Sequence, residues 1–132
     1  MGQDGEGSVF TGTGNTASVS ELIRPDICAG GNMLASADII EAMACGYAAH
    51  EGSFLRKLLA GLISAANAGG DVRGVMSAAI LIVATNHPPI DLRIDHAADP
   101  LRALSELADR IEETGYTRWM QSLPTERDPF GS

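Results

Sequence analysis

From Gly69 to Thr85 the chain reads GGDVRGVMSAAILIVAT, a glycine-rich turn holding Asp71 and Arg73 that runs straight into the longest apolar stretch of the sequence. Ala78, Ala79, Ile80, Leu81, Ile82, Val83 and Ala84 show no alternation with polar residues, so a strand here presents apolar side chains on both faces. Both faces of that strand need cover. The stretch is too short to span a bilayer and is led in by Gly69, Gly70 and Gly74, which predicts a central strand of a packed sheet rather than a membrane helix. Ser77, Ala78 and Ala79 are small enough to allow close approach at its start, beside Asp71 and Arg73.

A chain of 132 residues is the length of one domain and buries roughly two-thirds of the surface its unfolded form exposes. Aromatic residues make up only 5%, so Leu, Ile, Ala and Met must fill the interior. A net charge of -8 and a pI near 4.6 disfavour binding to nucleic acid or to an anionic membrane surface. Cys28 and Cys45 form no CxxC, and the first residues lack the charged and apolar regions of a secretory signal. Free thiols in a reducing, cytoplasmic setting are therefore expected.

Along the chain, Asp4-Gly5 is the kind of pair that closes a hairpin, Ser8 to Thr11 reads as a short strand, and Gly12 to Thr16 as a loop. Ala17 to Pro25 shows no regular pattern, and Ile27 to Asn32 reads as another short strand with a Gly30-Gly31 turn. Ser36 is a candidate N-cap, with Ile40, Met43, Ala44 and Tyr47 at helical spacing up to about His50. A second helix starts from Ser53, carries Leu55, Leu58, Leu59, Leu62, Ile63 and Ala66 on one face, and ends at Gly69. These two helices are expected as a hairpin on one sheet face. Beyond the Asn86 to Pro89 turn, Ile90, Leu92 and Ile94 alternate with Asp91, Arg93 and Asp95. Asp99 and Pro100 form an N-cap and first helical position, and Leu101, Leu104, Leu107, Ala108 and Ile111 give the buried stripe of a third helix stopping at Gly115. Residues 1–115 form the body and 116–132 a tail, with Trp119 and Met120 as anchors.

Three groups of residues carry chemistry. Arg73 can bind a carboxylate or stabilise developing negative charge, Asp71 can orient it, and Asn32 can donate to an oxyanion. The same residues also fit a structural Asp-Arg pair in a Gly-rich turn, with Asn32 in a left-handed turn conformation. Asp91, Arg93 and Asp95 share a strand face with His96 just beyond, a face that either lines a polar, substrate-binding cleft or is solvated and internally paired. Two carboxylates and a His could hold a divalent metal, but alternate strand positions are also what a solvated, internally paired face looks like; neither a metal nor a cofactor is expected. Cleavage before Thr13 would expose a threonine able to use its own α-amine as base. Gly12 to Ala17 fits a dinucleotide-binding pattern in letters only, since neither a buried strand nor a clear helix flanks it. His50 and His87 lack ligand-spaced partners, and Cys45 reads as a small packing residue within a helix.

GNMLA (31–35), GGDVRGVMSAAILIV (69–83) and DLRIDHAADPLRAL (91–104), with FTGTG (10–14), occur in the order in which they closely resemble a family catalogued as domain of unknown function 1028, an Ntn-hydrolase-like family. The resemblance covers about residues 4–115. It implies half of the αββα sandwich of N-terminal-nucleophile hydrolases, an α+β fold with mainly antiparallel sheet and about three helices. Those enzymes cut amide bonds with a Thr, Ser or Cys at the chain start. Family members carry a further N-terminal half holding that residue, and no position here matches it. The implied activity is thus hydrolysis of an amide bond in a small molecule, with Asn32, Asp71 and Arg73 shaping the site. The nucleophile and the missing strand cover would come from a separately encoded N-terminal half or, as a homo-oligomer, from a second copy. The alternative is an interaction or scaffold protein that keeps the fold without the chemistry.

Overall fold

Antiparallel pairing builds both sheets of this α+β chain, whose computed structural model describes residues 5, 7–15 and 18–130. The chain divides into two units, Met1–Val75 and Met76–Ser132. Asp4 lies outside the described residues, so the hairpin expected at Asp4-Gly5 does too.

In the first unit, strand β1 (Ser20–Arg24) pairs with β2 (Ile27–Gly31) across a turn at Pro25-Asp26. Leu22 stands opposite Ala29 on the inward face, and Ile23 opposite Cys28 on the outward one. Helix α1 (Ile39–Ala49) lies on both strands, and α2 (Phe54–Asn67) lies along α1. Ala29, Leu34, Ile39, Ile40 and Ala65 form the core, with Leu22 and Met43 packed against it. The expected strand at Ser8 to Thr11 has no ladder, whereas β1 occupies the stretch that showed no pattern. Its reason is tertiary: Leu22 gains burial only because β2 and α1 are present. The α1 N-cap is Asp38 rather than Ser36, and no side-chain hydrogen bond closes it. Ser53 does cap α2, its hydroxyl accepting the Arg56 N–H at 3.3 Å.

Past α2 the backbone turns left-handed at Gly69 (φ 126) and Gly70 (φ 57), and the N–H groups of both return to carbonyls of Ala66 and Ala65. The chain then doubles back along the segment after β2. Ala35 N–H donates to Gly70 O at 3.0 Å, Val72 N–H to Met33 O at 2.9 Å, and Leu34 bridges Asp71.

In the second unit, β3 (Ala78–Ile82) pairs with β4 (Ile90–Ile94), and α3 (Pro100–Ile111) covers one face of the pair. Ile80, Ile82, Leu92, Leu104 and Ala108 are buried. Each large aliphatic side chain buried in this layer contributes roughly 1.5–3 kcal/mol. Asp99 caps α3 by accepting the Arg102 N–H at 3.0 Å, with Pro100 at the first helical position as expected.

Two expectations need correction here. Among the described residues β3 pairs with β4 alone, so it is not the central strand expected, and its second face leaves Leu81 62% and, just past its end, Val83 71% exposed. An apolar run reports which faces avoid water but says nothing about how many strands flank it. The third helix ends before Gly115, and a fourth, α4 (Thr114–Gln121), contains that glycine. Tyr116 and Trp119 pack against each other one turn apart on α4, centroids 5.3 Å, so the first part of the tail, where only the anchors Trp119 and Met120 were expected, is helical. Among the described residues no helix is long and apolar enough to cross a membrane.

Candidate functional site

The doubled-back turn after α2 fixes Asp71 and Arg73 against each other. Arg73 Nε donates to Asp71 Oδ1 at 2.9 Å and Nη2 to Oδ2 at 2.6 Å, a two-pronged pair. The Arg73 backbone N–H adds a third bond to Oδ1 at 2.8 Å. These bonds, the guanidinium's first, hold the Asp71 carboxyl down at about 2 and push the Arg73 guanidinium upward. Arg73 remains well exposed along its outer side.

Asn32 follows β2 and is exposed. The left-handed residue of that turn is Met33 (φ 55) and not Asn32, which corrects the structural role expected for the asparagine. Pairing of residues 33–35 with 70–72 sets the backbone after Asn32 beside Asp71. Asn32, however, lines a depression of about 410 Å³ with Val9, Phe10, Thr11, Asn15, Gly30 and Gly31, a lining to which Asp71 and Arg73 do not belong. The expected trio thus shares one unit but not one pocket.

The segment before this loop lies over β2. A Cβ on Gly30 would meet Val9 Cγ1 at 2.9 Å, so a larger residue there would force the Val9 side chain to shift. Thr11 then reaches β1, its hydroxyl donating to Glu21 Oε2 at 2.6 Å. On that side Val9, Phe10, Thr11, Val19, Ser20 and Glu21 line a second depression of about 360 Å³. Thr13 sits exposed in the adjoining turn, closed by Asn15 N–H donating to Gly12 O at 3.2 Å. Thr16 and Ala17, the last positions of the dinucleotide-like pattern, lie outside the described residues.

On the second unit, Asp91 faces outward opposite Leu81, and Arg93 opposite Ala79. Arg93 Nη2 donates to Asp95 Oδ1 at 2.6 Å and Nε at 3.2 Å, and Asp95 first, then Asp91, raises the guanidinium's affinity for its proton. All three are exposed. Among the described residues no group of three or more His, Cys, Asp and Glu is placed to hold a metal ion.

Sequence reasoning passed over two arrangements. Glu21 carries the Thr11 contact, and no spacing links residues ten apart on different segments. Arg24 pairs with Glu41 at 2.5 Å, and the Cys45 thiol donates to the same carboxylate at 3.5 Å. The i, i+4 spacing of Glu41 and Cys45 did offer a signal. Cys45 is exposed, which corrects its expected role as a packing residue: it projects from the face of α1 opposite Ile39 and Ile40. His50 Nδ1 accepts the Gly52 N–H at 2.9 Å, and His87 Nδ1 lies 2.7 Å from Pro88 O, so each ring serves its own turn.

Residues 1–104 match the model of a family of unknown function, DUF1028. The chain is similar to the crystal structure of a DUF1028 protein from Silicibacter pomeroyi, at 33% identity and a TM-score of 0.83, over 91% of this chain and 54% of that one. It therefore spans about half the length of that structural relative. Comparison with curated proteins finds no match.

Proposed function

The chain belongs to the DUF1028 family, and on that premise we propose that it forms one wall of a small-molecule amide hydrolase whose nucleophile is carried by a further segment or subunit. The observation that carries this reading is the outward face of β3 and β4, where Leu81 and Val83 stand open beside Asp91, Arg93 and Asp95. Isolated domains seldom leave an apolar strand face to water, and a second sheet laid on it would bury both side chains at a spacing of about 10 Å. That gives the αββα sandwich the resemblance implies. The charged column of β4 sets the register of the incoming sheet by pairing with charges on it.

In this reading Asn32 donates its carboxamide N–H to the oxyanion that forms when the amide carbonyl is attacked. Arg73, aligned by Asp71, presents its free guanidinium edge to a substrate carboxylate. The test is to combine the chain with the N-terminal portion of a family protein and to follow sedimentation and hydrolysis of an amide panel together. A one-to-one complex that hydrolyses, loses its assembly with Leu81→Asp and loses about 10²–10³ in kcat with Asn32→Ala is the expected result. A chain that stays single in the presence of that portion overturns the proposal.

A second reading rests on the Asp71 and Arg73 pair, whose hydrogen bonds are directed at each other. A scaffold that assembles in the same way but hydrolyses nothing needs no more from those residues than a fixed turn. A complex without amidase activity selects it.

A further inference from the structure

We propose that the two depressions on either side of Phe10 form one binding site for a small molecule with a cationic amine at one end and a neutral carboxamide at the other, the class of short peptide amides. Their linings share Val9, Phe10 and Thr11, so a single ligand can lie across that segment and reach both. At about 410 and 360 Å³ each is of a size for part of a small molecule.

Among the described residues, none that lines the depression holding Asn15 and Asn32 is charged. Two side-chain carboxamides each offer two N–H donors and a carbonyl acceptor, the complement of a primary amide. Thr11 sharpens this choice: its hydroxyl proton is committed to Glu21, leaving only lone pairs toward the neighbouring depression. A carboxamide N–H satisfies those lone pairs, and a carboxylate does not. Among the described residues, Glu21 is the charged one lining the other depression, and Thr11 engages one oxygen of its carboxylate. Phe10, 92% exposed and common to both linings, offers a ring face to a cation bound there. The chain's net charge of -8 also enriches cations at its surface. Two residue steps of extended chain separate Val9 from Thr11, roughly 7 Å, which is about the span from the amine to the terminal amide of a dipeptide amide.

This goes beyond the hydrolase reading and does not rest on it, because binding is measured on the chain alone. Nitrogen-15 NMR titration with glycylglycinamide, its N-acetyl form and glycylglycine separates the contributions. The first is expected to shift the side-chain amides of Asn15 and Asn32, with the other two at least fivefold weaker. Glu21→Gln lowers affinity for glycylglycinamide to that of the acetylated form, and Asn32→Ala removes the preference for amide over acid. Phe10→Ala, which disturbs no packing, weakens glycylglycinamide about threefold. Shifts scattered over the chain, equal binding of the three compounds, or wild-type affinity in Phe10→Ala overturns the assignment. Loss of sandwich assembly leaves these binding results unchanged, so the two proposals fail separately.

Discussion

Leu81 on β3 lies directly across the ladder from Asp91 on β4, an apolar side chain and a carboxylate sharing the outward face of the same two-stranded sheet. The next pair on that face, Ala79 and Arg93, repeats the pattern, so one column is apolar and the other charged. A face turned permanently to water gains nothing from the apolar column, and one buried within its own chain would not carry the charged one. Such a mixed face suits a boundary between layers, with the charges at its margin. The inward face of the same strands has no such mixture: Ile80 pairs with Leu92 and Ile82 with Ile90.

Replacing Leu81 by Gln is therefore expected to change the stability of the chain alone by no more than about 0.5 kcal/mol. The same change removes apolar surface from the outward face and should lower binding of an environment-sensitive dye. Urea denaturation and dye fluorescence measured on the same samples check both. A large loss of stability would show that Leu81 packs against its own chain.

Leu104 is the opposite case, fully buried in α3 where it covers the β3 and β4 ladder. Truncation to Ala removes transferred surface and leaves a cavity, at a cost of about 2–5 kcal/mol. Hydrogen exchange should show the loss at the amides of Ile80, Ile82 and Leu92 first, since those residues share its layer.

Much of this architecture was legible because local chemistry and tertiary burial agreed. Ser53 and Asp99 begin α2 and α3 as their cap residues predict, and Ile90 to Ile94 alternates as the half-covered strand it is. β1 was not legible: adjacent Leu22 and Ile23 break the period of two, and the strand exists through pairing with β2. α4 was hidden by Gly115, although Tyr116, Trp119 and Met120 recur at helical spacing. In the candidate site, the Asp71 and Arg73 pair could be read from two residues in one turn. The depression beside Asn32 could not, because it depends on where residues 9–11 cross β2.

Acid should weaken the turn after α2 through Asp71. Its carboxyl, held at about 2 against an ordinary 3.8, contributes stability that is complete above the ordinary value and is lost as pH falls through about 2. Asp71→Asn cannot form the ion pair, so wild type and variant should differ by a constant amount above pH ~5 and converge between pH ~4 and ~2. Added salt should narrow the gap, because Arg73 is open to solvent. Denaturation curves at stepped pH and two ionic strengths measure it. A gap that persists at the lowest pH would place the variant's defect in lost geometry rather than in charge.

Two glycines should respond to alanine with opposite sign. Gly70 has φ 57, and a Cβ there would come within 3.3 Å of Val75 Cγ2, so alanine meets both an unfavourable backbone and a close neighbour. The left-handed conformation alone costs about 1–2 kcal/mol for a residue with a side chain. It also loosens the Ala35 to Gly70 bond that ties the turn to the segment after β2. Gly115 lies inside α4, and a Cβ there meets nothing within 4 Å. Alanine lowers the entropy of the unfolded chain and favours the helix, a gain of about 0.5–1 kcal/mol. Far-ultraviolet circular dichroism with thermal melting should show Gly70→Ala melting earlier and Gly115→Ala more helical and no less stable. Equal effects from both would mean that neither backbone geometry is the one described.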